Sequence, residues 1–269
     1  MSTTIDVGIS THPGLAGADL AKMRVHKNNK KYRHHSANIF AAAGLGGKKT
    51  LMAFGGWLPY VAAMYDETKD NSSTIAPGAD GVVFQTDATA TDEDDITAGS
   101  KATQAIAANK VWSFTTKVRV SHATSFGFVV GFVTSSSTVP GSTAPADGVY
   151  FIKVHDAAGL TARVIENSQA ADDLASFNNS TGTAAAKTIV AATFVELGIK
   201  FMAGSSAATS WGEWLIDGYA TQMTANQVAA VYTMLATTPA TLRAIVAFRV
   251  DGTTQRNGVC CFALAEVDE

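Results

Sequence analysis

The chain is 269 residues long with a net charge of −3; 46% of its residues are hydrophobic and only 16% are charged. That length suits one large all-β domain with an appendage, or two modest domains, and the composition predicts a sizeable core under a weakly charged surface that is sticky or assembled. No run of roughly 18 or more apolar residues occurs, so no membrane span is indicated, and the opening MSTTIDVGISTHPG lacks the basic-then-apolar pattern of a secretory signal.

Residues Met1 to Lys49 hold eight Lys/Arg (Lys22, Arg24, Lys27, Lys30, Lys31, Arg33, Lys48, Lys49) against Asp6 and Asp19, a net of +6, so the remainder carries −9. This reads as a basic arm on an acidic body. The stretch MRVHKNNKKYRHHS could wrap nucleic acid or lie on an acidic protein surface. Only Tyr32 interrupts the charges as a stacking platform and no nucleic-acid fold surrounds it, which favours a protein partner. His26, His34 and His35 lack cysteine or carboxylate co-ligands at suitable spacing and read as solvated or docking residues, so neither a metal nor a cofactor is expected.

Next comes ANIFAAAGLGGKKTLMAFGGWLPYVAAMYDE, whose apolar residues are broken by glycines and Pro59, which predicts irregular backbone. Such a segment must be covered, either against the body or in an assembly, and the basic stretch before it favours the assembly. The residues expected to dock a partner are therefore Lys22, Arg24, Lys27, Lys30, Lys31, Tyr32, Arg33, Phe54, Trp57 and Tyr60. Asp66 to Gly78 is polar and reads as a linker, giving a docking arm over 1–78 and a body over 79–269.

In the body, Gly81 to Thr86 is a short strand candidate, and Asp92-Glu93-Asp94-Asp95 lacks the spaced carboxylates of a calcium loop. Val111 to Val120 alternates, with Trp112, Phe114, Val118 and Val120 on one face, as a half-buried strand does. Phe126 to Val133 (FGFVVGFV) puts small residues and valines opposite its phenylalanines, which predicts close packing on that second face by something such as another subunit. Val149 to His155 and Leu160 to Glu166 flank a short Gly-containing loop and predict a hairpin. Thr188 to Tyr219 is the clearest stretch. Val195, Leu197, Ile199 and Phe201 alternate with polar or small residues, and Trp211 to Ile216 then runs into Asp217-Gly218, a dipeptide suited to a tight hairpin. Thr224 and Gln227 have capping-box spacing ahead of a Val228, Val231, Tyr232, Leu235 stripe, which predicts a helix to Ala236 over one edge of the sandwich. Leu242 to Val250 and Val259 to Val267 close the chain as a hairpin. Cys260 and Cys261 are neighbours that would point to opposite faces, so two free thiols and a reducing compartment are expected.

About nine evenly spaced strands and one helix describe a mainly β protein, a two-sheet antiparallel jelly-roll sandwich. The order GLTARVIEN hairpin arm, long strand, EWLIDG turn, LRAIVAFRV and closing apolar strand resembles the concanavalin A-like, laminin-G-type jelly roll over Gly81 to Glu269. Low charge, abundant Ala, Thr and Gly, no signal and a docking arm look like a tailed-phage virion protein, and among those a capsid decoration, or cement, protein. That resemblance implies binding to the major capsid protein across capsomer junctions. It also implies a homo-oligomer, with a trimer favoured, on a virion surface after folding in the host cytoplasm. The fold also allows a glycan- or receptor-binding module of a phage fibre or surface adhesin, with Trp211, Trp214 and Tyr219 as the candidate contacts. Catalysis is not expected. The Glu-x-Asp-x-x-Glu strand of glycoside hydrolases with this sandwich is absent, and Glu213 and Asp217 offer at most one inward carboxylate.

Overall fold

The computed structural model describes residues 47–55, 58–69, 72–86, 94–134, 148–154, 156–166, 171–236, 240–250 and 255–268. In chain order the strands are β1 (Lys48–Gly55), β2 (Tyr65–Lys69), β3 (Thr74–Gly78), β4 (Gly81–Gln85), β5 (Asp94–Ser100), β6 (Gln104–Ala105), β7 (Val111–Val120), β8 (Phe126–Val133) and β9 (Gly148–Lys153). There follow β10 (Thr161–Ile165), β11 (Asp172–Leu174), β12 (Ser176–Asn178), β13 (Ala184–Ala186), β14 (Val195–Met202), β15 (Trp211–Ile216), β16 (Tyr219–Gln222), helix α1 (Ala225–Ala236), β17 (Thr241–Val250) and β18 (Asn257–Asp268).

One sheet has the order β16-β15-β14-β7-β18-β4-β3, with β1 also pairing β18; the other runs β11-β10-β9-β8-β17-β5-β2, with β6 on β17. All these pairings are antiparallel, so the fold is the two-sheet sandwich that the alternation predicts. β7 alternates half-buried and buried residues along its whole length, as a strand with one wet face must. β8 is buried at every position. Between the sheets lies an aromatic core in which Trp112 meets Phe132 edge-on at 5.2 Å and stacks on Phe201 at 5.8 Å, while Phe84 meets Phe248 at 4.9 Å.

The first third of the chain departs from expectation. The sandwich does not begin near residue 79: β1 pairs with β18, β2 with β5, and β3 with β4. Glycines stand only at the ends of KKTLMAFG, so a strand fits between them although the wider segment is glycine-broken. The supposed linker reads as polar because β2 and β3 are edge strands with mostly exposed residues, where Pro77 is tolerated.

β18 carries a bulge between Cys260 and Phe262, and there it changes neighbours. Its first part pairs with β4 and its later part with β1. Gly81 and Gly55 both have positive φ at this junction, and a Cβ on Gly81 would stand 2.4 Å from the Cys260 carbonyl oxygen. Cys260 is buried and Cys261 half-buried, both as free thiols.

Helix α1 forms where predicted, with the reciprocal cap: the Gln227 amide donates to Thr224 Oγ1 (3.1 Å) and the Thr224 amide to Gln227 Oε1 (3.2 Å). Its inward face is Gln227, Ala230, Val231 and Met234, one position back from the expected stripe. The offset arises because Gln227 is pinned inside by hydrogen bonds. Trp214 of β15 donates to its Oε1 (3.1 Å), and its Nε2 donates to the carbonyls of Ala162 (3.2 Å) and Asp172 (3.0 Å). One side chain thus joins the helix to both sheets along the edge that the helix closes.

Candidate interaction surface

The outer face of the first sheet is its wet face. Ser113, Thr115, Lys117 and Arg119 of β7 lie beside Glu196, Gly198 and Lys200 of β14, and these beside Glu213 and Leu215 of β15. Lys117 is the register partner of Glu196, and Lys200 that of Glu213, so cation and carboxylate alternate across the strands. Cations also cover the aromatic rings. Arg119 lies 4.8 Å and Lys117 5.5 Å from the centre of the Phe194 ring, and Lys200 lies 5.4 Å from that of Trp211. Arg119 is further held by Asp80 at 2.7 Å. At the far end of β18, Glu266 is buried 3.9 Å from Lys48, and burial holds its carboxyl above the usual range although Lys48 pulls it back. The surface can make many polar and charge-assisted contacts at once.

The three aromatic residues predicted for glycans do not come together. Trp214 is wholly buried, edge-on to Phe151 at 5.0 Å with its indole N–H on Gln227. Trp211 is half-buried on the outer face, two positions from Glu213. Tyr219 is 43% exposed but pairs with Ile216, whose side chain points inward, so it stands on the opposite side of the sheet from Trp211. The carboxylates Glu213 and Asp217 also part company. Glu213 faces solvent, whereas Asp217 sits in the hairpin turn at φ 51°, accepts the Glu196 amide at 3.0 Å and pairs with Lys187 at 2.6 Å. Among the described residues no group of three or more His, Cys, Asp or Glu is arranged to hold a metal.

Of the predicted docking residues, Lys22, Arg24, Lys27, Lys30, Lys31, Tyr32, Arg33 and Trp57 lie outside the described residues. Phe54 and Tyr60 are core, not surface: with Tyr65 they form a cluster whose ring centres are 5.0–5.5 Å apart. Tyr60 donates to Glu67 Oε1 at 2.6 Å and Tyr65 to the Ala53 carbonyl at 2.6 Å. Burial raises both hydroxyl pKa values, that of Tyr65 to about 12. Sequence spacing missed what this cluster supports. Between Tyr60 and Tyr65 the turn Val61–Met64 projects into solvent, with Val61 43% and Met64 62% exposed, and Lys101 donates to the Ala63 carbonyl at 2.9 Å. The signal was the flanking pair of tyrosines, which anchor both ends of an apolar turn.

No protein-family model matches the chain, and no curated protein is similar to it in sequence. Solved structures match the fold. The metal-free Emp46p carbohydrate recognition domain aligns with a TM-score of 0.52 at 9% identity, covering 81% of this chain and 95% of that one. The "T. cruzi calreticulin globular domain" aligns with a TM-score of 0.52 at 8% identity, covering 82% of this chain and 89% of that one. An endo-1,3-beta-glucanase from Streptomyces sioyaensis aligns at 0.51 and 11% identity, covering 82% and 97%. The chain therefore shares the jelly-roll β-sandwich fold of these structures. Those neighbours include both a recognition domain and a glucanase, so function has to be argued from this chain's own surface.

Proposed function

We propose that the protein is a non-enzymatic structural protein of a virus particle, a decoration protein that docks its sandwich onto a tailed-phage capsid. The observation that carries this reading is the Val61–Met64 turn. It is an exposed apolar knuckle, and its two ends are fixed by buried, hydrogen-bonded tyrosines. A rigidly based apolar projection loses little conformational freedom on binding, which is what a protein–protein anchor requires. The basic stretch from Lys22 to Arg33 supplies a second contact, to acidic protein. Copies arranged as trimers across capsomer junctions would bind the assembled shell of major capsid protein and not its dispersed subunits, so mass action stabilises the shell. The test is co-sedimentation of the full chain with expanded empty shells that lack it. Val61→Asp with Met64→Asp should weaken binding by about tenfold or more, and undiminished binding would remove the knuckle from the account.

A second reading, a glycan- or receptor-binding module of a fibre or adhesin, is favoured by the half-exposed Trp211 beside Glu213 and by the fold's occurrence in a carbohydrate recognition domain. It predicts saturable, sugar-specific signal on a glycan array that Trp211→Ala abolishes.

A further inference from the structure

The second sheet is buried on both faces, and only one of them looks into the core; the other carries an apolar patch bordered by Arg163, Arg243 and Arg249. Pointing away from the core, Val129 and Val133 of β8 stand in register with Ile152 and Gly148 of β9, and with Ala247 and Arg243 of β17. Tyr150 and Ile245 flank Gly131 in the row between. This face forms a hydrophobic cluster separate from the main core, and Val129, Val133, Tyr150, Ile152, Ile245 and Ala247 are each at most 7% exposed. The members of the cluster, and the half-buried Val154 packed on it, all come from the strands of the sheet or directly follow them. A sheet face with nothing over it stays open to water, so a further layer closes this one within a single chain.

Two long stretches lie outside the described residues, 1–46 and 135–147. The second is SSSTVPGSTAPAD, with Val139 as its one large apolar side chain, and it joins the neighbouring strands β8 and β9. The first ends in ANIFAAAGL and enters the fold at β1. There Lys49 donates to the Thr103 carbonyl (2.9 Å) and to Gln104 Oε1 (2.8 Å). Gln104 pairs with Leu242 at the start of β17, one residue before the row of Arg243 and Val133. Nine residues reach roughly 30 Å when extended, several times the separation of about 10 Å from β17 to β9.

We infer that the outer face of the second sheet is a socket for the chain's own leading segment, residues 1–46, with Ile39, Phe40 and Leu45 supplying the apolar layer. The inference does not depend on shell binding, and its test contains no shell, so either can fail alone.

In the full-length protein, a photo-cross-linking p-benzoylphenylalanine replaces Ile152 or, at the half-exposed rim, Thr161, which keeps the test open if the buried position disturbs folding. Equal amounts of ¹⁴N- and ¹⁵N-labelled chain are mixed, irradiated and digested. Cross-links to residues 1–46 within single-isotope chains are expected, and Phe40→Asp with Leu45→Asp should abolish them. Mixed-isotope cross-links would assign the face to a second copy. Cross-links only to other residues, or none, would leave the leading segment off the face, and any of these three results overturns the inference.

Discussion

Gln227 is the most informative residue to replace. Its side chain is wholly buried and holds one indole N–H and two main-chain carbonyls from three different strands. Gln227→Leu keeps the volume and the helix propensity but leaves the Trp214 N–H and the carbonyls of Ala162 and Asp172 without this partner. A buried hydrogen bond contributes about 1 kcal/mol net, and leaving a buried group unmet costs more, so the substitution should cost about 3 kcal/mol. For a chain of this size that corresponds to a fall of roughly 6–12 °C in Tm. The lost Thr224 contact adds little because Thr224 is exposed and water replaces the partner. Trp214 itself reports the change, since its fluorescence follows both chemical unfolding and the polarity around the indole. A double-mutant cycle with Trp214→Phe should return a coupling of about 1 kcal/mol. A Gln227→Leu protein within about 0.5 kcal/mol of the parent, or a cycle with no coupling, would refute the view that this side chain ties the helix to both sheets.

The buried ammonium of Lys153 donates to the carbonyls of Phe126 (2.6 Å), Val154 (3.0 Å) and Ala157 (2.7 Å), and burial pushes its pKa down to about 8. Because the folded value lies below the unfolded one, the unfolded chain binds more protons above pH 8, and stability should rise by about 2–3 kcal/mol between pH 8 and 10. Above pH 10 the raised hydroxyls of Tyr65 and Tyr150, both near 12, work the other way. Lys153→Met should flatten the rise, and an unchanged slope in urea titrations at stepped pH would exclude this lysine as its source. Burial pushes the Cys260 thiol up to about 12, while Cys261 is half-buried. Ellman's reagent at pH 8 should therefore find one fast thiol per folded chain and a second only on unfolding; two fast thiols would contradict the packing at the bulge. Gly81→Ala would drive a Cβ to 2.5 Å from Cys261 Cα at a φ of 137° and should cost about 3 kcal/mol. Gly159→Ala, whose Cβ meets open space, should be close to neutral by the same denaturation assay, and equal costs would sink the argument.

What could be read from the sequence is what alternation and turn chemistry encode locally. β7 and β8 start and stop where their patterns do, Asp217-Gly218 makes the predicted positive-φ turn, and the helix carries its predicted cap. The misreadings share one cause, which is that burial depends on neighbours that a linear pattern does not name. Phe54 and Tyr60 looked like docking residues because glycines surround them, yet it is Gly55 that lets β1 press against the β18 bulge and carries both rings inward. Trp214 looked like a sugar platform beside Trp211, but adjacent strand parities send the two to opposite faces, and Gln227, thirteen residues on, claims the indole. Conversely, the doubly apolar pattern of FGFVVGFV is matched by burial at every position of β8, since a strand with no polar face needs protein on both sides. Polar composition hid β2 and β3 for the complementary reason: an edge strand exposes most of its residues, so its hydrogen bonds, and not its hydropathy, define it. Among the described residues the sandwich therefore starts at Lys48, and the docking role proposed above rests on the Val61–Met64 knuckle and the basic residues before β1, a narrower surface than a seventy-eight-residue arm and one that two aspartate substitutions can test.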